Sequence, residues 1–127
     1  MRRTGIAILS LVAMTAACGD KVCILIPAPT IQVDIRDSVT GAPAAYGASL
    51  IIEAPGVYDS SFVGPRPDSL TIGFVQSAPI RATNDFVVRV RRAGYKLWQQ
   101  TGVHVDVSAE CGTGASRAYT ARLQRLP

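Results

Sequence analysis

The feature that most constrains this chain is a strict alternation of apolar and polar residues that begins at Ile31. Ile31, Val33 and Ile35 point one way, and the polar residues between them point the other. A half-buried β-strand produces this pattern, because successive side chains leave opposite faces of a sheet. The turn-forming residues 37–41 (DSVTG) follow, and alternation then resumes. Residues 31–52 are therefore predicted to form a β-hairpin.

Short alternating runs of the same kind continue along the chain. They predict strands at residues 57–63, 69–76, 86–92, 95–98, 103–107 and 117–126. The second of these runs places Leu70, Ile72 and Phe74 on one side. Eleven glycines and eight prolines mark the turns, and no window after residue 17 shows a helical period. Seven or eight short strands separated by turns predict an all-β fold, an antiparallel sandwich of two sheets.

The N-terminus is predicted to be an export signal. Arg2 and Arg3 precede an apolar run over residues 5–14, which is shorter than the roughly 20 residues that a membrane span needs. The sequence that follows, TAAC over residues 15–18, resembles the lipobox of bacterial lipoproteins. That resemblance implies cleavage before Cys18 and acylation of this residue. The alternative is ordinary secretion, which leaves Cys18 as a thiol.

These features predict three segments: a signal peptide over residues 1–17, a tether over 18–29 and a β-sandwich domain over 30–127. Each CH₂ buried in the bilayer contributes about 0.8 kcal/mol, so several acyl chains hold a protein firmly on a membrane. Glycine after the cysteine resembles the lipoproteins sorted to the outer membrane. The expected location is the cell envelope, on the outer membrane and facing the periplasm.

The three cysteines suggest a disulfide. If Cys18 carries lipid, then Cys23 and Cys111 remain, and exported proteins tend to pair their thiols. We predict a Cys23–Cys111 disulfide, which would contribute about 4–5 kcal/mol on the chain-entropy model. Two buried free thiols are the alternative. The two cysteines and the single histidine, His104, lack any ligand-pair spacing, so neither a metal site nor a cofactor is expected.

The net charge excludes one class of partner. The chain has 13 Lys and Arg against 9 Asp and Glu, and loss of Arg2 and Arg3 with the signal leaves 11 against 9, or +2. Such a weak positive charge argues against a nucleic-acid partner.

Two turns resemble those of a known family. Residues 37–43 (DSVTGAP) and a later Ala-Gly-Tyr turn ending at Tyr95 resemble the carboxypeptidase regulatory-like domain, a transthyretin-like β-sandwich. The resemblance covers about residues 30–124 and implies an accessory module. Tyr95 is expected to cap the core with its ring and to keep its hydroxyl in water. Transthyretin-like hydroxyisourate hydrolases use several histidines, whereas this chain has one.

Several outward side chains could form a ligand or partner surface. A basic outer face is predicted from Arg89, Arg91, Arg92 and Lys96, joined by Arg36 and Arg122. It could attract anionic lipid or an acidic partner, or it could simply keep the strands soluble. Tyr95 and Trp98 could stack on a carbohydrate or pack against the core. His104 and Asp106 share one strand face, which fits either acid–base chemistry or a solvated surface.

The sequence thus favours a non-enzymatic, lipid-anchored module for binding or scaffolding in the cell envelope. It does not identify the partner, for which an envelope protein and a glycan are the candidates. A carbohydrate-binding module is the alternative, and a transthyretin-like hydrolase is a remote one. The sequence predicts no catalytic, cofactor-binding or metal-binding residues.

Overall fold

A computed structural model describes residues 28–64, 73–108 and 111–127. These residues form seven strands: β1 (Ile31–Asp37), β2 (Ala48–Ala54), β3 (Val57–Phe62), β4 (Phe74–Gln76), β5 (Asn84–Arg92), β6 (Trp98–Val105) and β7 (Arg117–Leu123). The described part of the chain contains no helix that could span a membrane. The signal peptide, Cys18 and Cys23 lie outside the described residues, as do residues 65–72 with Leu70 and Ile72.

The strands form two sheets that enclose one core. The first sheet has the order β4-β1-β7, and the second has the order β3-β2-β5-β6. The predicted two-sheet sandwich is confirmed. All neighbours pair antiparallel except β1 and β7, which run parallel from Ile31 opposite Arg117 to Asp37 opposite Leu123. Alternation along a strand does not indicate the direction of its neighbour, so this pair was not predicted.

The predicted hairpin over residues 31–52 is wrong, because β1 and β2 lie in different sheets. The turn itself forms: the N–H of Asp37 donates to the carbonyl of Ala42 at 2.9 Å, and that of Ala44 donates to Ile35 at 2.8 Å. Gly41 has a φ of 70°, a conformation that favours glycine. The chain then passes through the buried Ala44 and Ala45 into the second sheet. The alternation identified both strands correctly but not their partners.

The core consists of the alternate side chains that face between the two sheets. Every second residue of β1 is fully buried, and β5 repeats this pattern. The largest of these side chains are Phe86, Ile31, Ile35, Leu50, Ile52 and Leu123. Burial of alternate residues on both facing sheets is what the sequence pattern predicted.

In strand β4, the face that packs against the core is not the face that carries Phe74, the residue grouped with Leu70 and Ile72 in the sequence analysis. Phe74 is exposed, and Val75 is the buried residue. The register explains the difference, because Val75 lies opposite Val33, which faces the core.

Strand β6 unites two stretches that the sequence pattern separated. Its pairing with β5 shifts between Phe86 and Val88, so the ladder contains a bulge. Gly102 lies in β6 near this shift with a φ of 66°, which a glycine adopts without strain. Beyond the bulge, Val103 and Val105 return to the core.

The sandwich has two ends, between which β1 runs. At the end where β1 begins, here called the entry pole, Ile80 donates to the carbonyl of Pro29 at 2.8 Å and Arg117 to that of Thr30 at 2.9 Å. At the opposite end, the far pole, the backbone N–H of Lys96 donates to the backbone carbonyl of Gln124 at 2.8 Å. The seven residues of β1 separate the poles by about 20 Å.

The core makes a direct prediction about stability. Phe86 is 1% exposed and Phe62 is 65% exposed. We expect Phe86→Ala to lower the free energy of unfolding by about 3–5 kcal/mol, because it removes buried surface and leaves a cavity. Urea denaturation measures the change. Phe62→Ala is the matched control, with an expected effect within about 0.5 kcal/mol. Equal losses in the two variants would contradict the core described above.

Candidate functional site

The far pole is built around a buried carboxylate, that of Asp37. Asp37 ends β1 and is only 2% exposed. Its Oδ1 accepts the backbone N–H groups of Val39 at 2.9 Å and Thr40 at 3.0 Å. Its Oδ2 accepts the hydroxyl of Tyr95 at 2.9 Å and the Nε–H of Arg125 at 2.7 Å. Four donors therefore surround a single buried charge.

These donors hold the pKa of the Asp37 carboxyl well below its usual range. The N–H of Thr40 has the largest effect, followed by the Arg125 guanidinium and the N–H of Val39, while burial acts in the opposite direction. Charge-assisted hydrogen bonds favour the ionised form. Asp37 is therefore a structural group that is ionised in the folded protein at neutral pH, and both of its oxygens are already occupied.

Tyr95 differs in one respect from its predicted role. Its ring packs against the core, as predicted. Its hydroxyl, which was predicted to stay in water, instead donates to Asp37. This contact joins the two turns, residues 37–43 and the Ala-Gly-Tyr turn, that were singled out separately in the sequence. The hydroxyl thus finds a carboxylate partner 58 positions away in the chain.

The Asp37 cluster predicts an acid-sensitive stability. A carboxyl with a lowered pKa stabilises the fold above its ordinary pKa, and this contribution is lost as the pH falls below about 4. We expect Asp37→Asn to lower the urea midpoint at pH 6 and to reduce the further loss between pH 6 and pH 3. Asp34→Asn, on the outer face of the same strand, is the control and should change the pH dependence little. An unchanged midpoint at pH 6 in Asp37→Asn would overturn the assignment.

A shallow depression of about 400 Å³ opens beside this cluster. We call it the far-pole depression, and its lining residues are Gly47, Ser49, Arg91, Arg92, Ala93, Tyr95 and Leu97. The guanidinium of Arg92 lies over the Tyr95 ring, 4.9 Å from its centroid. No acidic side chain is among the lining residues. Among the residues that the structure describes, the depression therefore presents two cations and no anion.

The predicted surface residues Tyr95, Trp98, Arg89 and Arg91 do not all meet at one place. Tyr95 and Arg91 line the far-pole depression. Trp98 lines a second depression of about 240 Å³ and packs partly buried against the core. Arg89 pairs with Glu53 and donates to Gln99 at 3.0 Å. Its guanidinium is thus already bonded on the outer face of the second sheet.

The predicted basic face is divided between opposite sides of the sandwich. Arg36 and Arg122 lie opposite each other in the β1–β7 register, on the outer face of the first sheet. Arg36 is paired there with Asp34 at 2.9 Å. Arg89 and Arg91 lie on the outer face of the second sheet. Charge alone could not show that these strands belong to different sheets.

His104 lies between two carboxylates. Its Nδ1 is 2.6 Å from Asp85 and its Nε2 is 3.1 Å from Asp106. The sequence pointed to Asp106 but not to Asp85, which comes from the neighbouring strand opposite His104. The outward position of Asp85 next to the buried Phe86 was the available signal. Hydrogen bonds to Asp85, and then to Asp106, raise the pKa of His104.

The geometry of this triplet suits a solvated ion cluster better than a catalytic centre. All three side chains are exposed. Both ring nitrogens are occupied by carboxylates, which leaves neither free to take a proton from a substrate. Within residues 28–64, 73–108 and 111–127, no group of three or more His, Cys, Asp or Glu residues is arranged to hold a metal ion.

The His104 cluster predicts a measurable titration. Because its pKa is raised in the folded protein, its contribution to stability is complete below pH about 6.5 and is lost as the pH rises through the folded pKa. We expect NMR titration of this sole histidine to give a pKa above 6.5. Asp85→Asn should lower that pKa more than Asp106→Asn. A pKa at or below 6.5 in the unaltered protein would contradict the geometry.

One cysteine of the predicted pair, Cys111, lies among the described residues, whereas Cys18 and Cys23 lie outside them. The Cys23–Cys111 pairing therefore stays a prediction. The loop that contains Cys111 lies at the entry pole, because it precedes β7, whose first residue, Arg117, bonds Thr30.

Two exposed aromatic side chains lie on the outer face of edge strand β3. Tyr58 is 66% exposed and Phe62 is 65% exposed, and their spacing of four places both on one side of the strand. Ile51 lies on the neighbouring strand opposite Ser60, between them. The sequence analysis predicted a strand here but did not single out this pair. Alternation across the whole predicted strand would have shown that the two share a face.

Comparison with known proteins gives little beyond the fold. No protein-family model and no curated protein matches this chain. The chain is similar to one in a crystal structure of a type II cohesin–X-dockerin complex, a C-terminal interface mutant, from Acetivibrio cellulolyticus. The identity is 17% and the TM-score 0.45, covering 76% of this chain and 56% of that chain. A similarity of this size carries no information on function, and the carboxypeptidase regulatory-like assignment stays a prediction.

Proposed function

We propose that this protein is a non-enzymatic binding module, lipid-anchored in the cell envelope, which holds a partner protein on the outer face of its four-stranded sheet. The observation that carries this proposal is the exposed aromatic pair on β3, Tyr58 and Phe62. Large aromatic side chains dominate the energetics of protein interfaces. Here they lie outside a core that is already filled by other residues.

The surroundings of this pair match those of an interface. Ile51 adds apolar area between the two rings, and Glu53 and Arg89 form an ion pair beside it. Strand β3 is also an edge of its sheet, so its outer hydrogen-bonding groups face away from β2. An apolar centre with a charged surround is the usual anatomy of a protein–protein contact.

The proposed anchor fits the direction of the chain. β1 begins at the entry pole, so a tether at residues 18–29 leads directly into that end. If Cys23 pairs with Cys111, only five residue steps separate the lipidated Cys18 from the domain, a reach of at most about 18 Å. The entry pole would then lie close to the membrane. The outer face of the second sheet would stand free beside it.

Photocrosslinking in cells that express the full chain tests the proposed partner surface. A photoreactive residue at position 58 or 62 should crosslink to one protein, whereas the same residue at position 39 should not. Val39 is the control because it is 83% exposed and lies in the turn after β1. Equal crosslinking at all three positions would overturn the surface. Glycan binding that is lost in Trp98→Ala would instead support a carbohydrate-binding module.

Fractionation of the same cells tests the anchor separately. Cys18→Ser should move the protein from the membrane fraction to the soluble fraction, because acyl chains need the cysteine thiol. Cys111→Ser is the control, since it removes a cysteine but leaves the lipid site intact. A Cys18→Ser protein that stays with the membrane would contradict lipid anchoring and leave the crosslinking result to stand by itself.

A further inference from the structure

The far-pole depression has the composition of a site for an anion. Arg91 and Arg92 both line it, together with the hydroxyl-bearing Ser49 and the apolar Leu97. No carboxylate competes for the two guanidinium groups among its lining residues. Two arginines on the outer faces of the sheets do have an acid beside them: Arg36 has Asp34, and Arg89 has Glu53.

The two guanidinium groups reach the same depression for a structural reason. Neighbouring residues on a strand point to opposite faces, but β5 ends at Arg92 and the chain turns at Gly94, where φ is 79°. Arg92 therefore lies at the rim, stacked 4.9 Å from the centroid of the Tyr95 ring. A guanidinium stacked by its face keeps its N–H groups directed outward from its edge, where they can bind an oxyanion.

We propose that the far-pole depression binds the carboxylate side chains of an acidic peptide segment. The proposal rests on the proposed function, because that segment belongs to the partner protein. Arginine recognises carboxylates through paired hydrogen bonds, and the two side chains together offer a charge of +2. Ser49 can add a donor, and Leu97 supplies an apolar contact for a residue flanking the acid.

The depression is continuous with the partner surface. Ser49 lies between Phe62 and Arg91 in the register of β3, β2 and β5. A peptide strand that covers Phe62 can therefore extend across Ser49 to the arginines without leaving the sheet. The exposed aromatic contributes affinity, and the two cations select for an acidic sequence.

The position of the depression favours a peptide over a lipid headgroup. β1 runs from the entry pole, where the tether joins, to Asp37 beside Tyr95. The depression is thus about 20 Å from the point at which the chain leaves for its anchor. A headgroup site on an anchored protein would be expected at the near end.

Binding of two matched peptides tests the proposal. The probes are fluorescein-labelled Phe-Glu-Glu-Leu amide and its Phe-Gln-Gln-Leu counterpart, and the protein is the full chain in non-ionic detergent. Fluorescence anisotropy should show at least ~10-fold tighter binding of the acidic peptide, consistent with the strength of charge-assisted hydrogen bonds. Equal binding of the two peptides would overturn the proposal.

Arginine variants locate the site. Arg91→Gln should weaken binding of the acidic peptide about 10-fold, and Arg92→Gln should do the same. Arg81→Gln is the matched control, because Arg81 is an exposed arginine next to Ile80 at the entry pole. The Arg91 side chain is exposed, so its loss should leave the urea midpoint unchanged. Equal weakening in Arg81→Gln would mean that only net charge is sensed, which contradicts a site.

Two further results separate this proposal from other outcomes. Binding of glycerol phosphate at the same arginines, without binding of the acidic peptide, would identify a headgroup site and overturn the peptide assignment. Crosslinking from positions 58 and 62 could persist in Arg91→Gln while the protein shows no preference for the acidic peptide. That result would leave the proposed function standing and overturn only the acidic-peptide site.

Discussion

The buried carboxylate of Asp37 is the interaction on which the far pole depends. A charge in an apolar interior is strongly unfavourable unless hydrogen bonds and an opposite charge offset the loss of water. Val39 and Thr40 hold it from the turn, while Tyr95 and Arg125 reach it from later in the chain. One side chain thereby joins the end of β1 to the β5–β6 connection and to the segment after β7. An arrangement of this end that moved Tyr95 or Arg125 away would leave the charge with fewer donors.

That cluster also positions the surface next to it. Tyr95 is fixed by its ring, which packs against the core, and by its hydroxyl, which donates to Asp37, and the guanidinium of Arg92 lies over the same ring. Rigid support of this kind lowers the entropy that a binding side chain loses when a ligand arrives. The entry pole has a different character, because it joins the predicted tether and contains the loop with Cys111. The two proposals therefore place anchoring and recognition at opposite ends of one sandwich.

The sequence identified the strands, but it gave little information on which strands lie next to each other. Strict alternation identified the buried faces of β1 and β5, because burial of every second residue is a local property. It could not show that the chain enters a different sheet after the turn that follows β1. Nor could it show that Val75, and not Phe74, faces the core. The contacts of Asp37 with Tyr95 and of His104 with Asp85 join distant positions. Such contacts depend on how strands pair and how the two sheets pack, and a single sequence does not show either.

The parallel pairing of β1 with β7 determines how the domain responds to mechanical load. The chain enters β1 at one pole and leaves β7 at the other, and seven residue pairs join the two strands side by side. Tension between the tether and the residues after β7 acts along both strands in opposite directions. All the hydrogen bonds between them then resist sliding together, instead of opening one after another. A fold connected in this way can carry tension between its two ends without coming apart strand by strand.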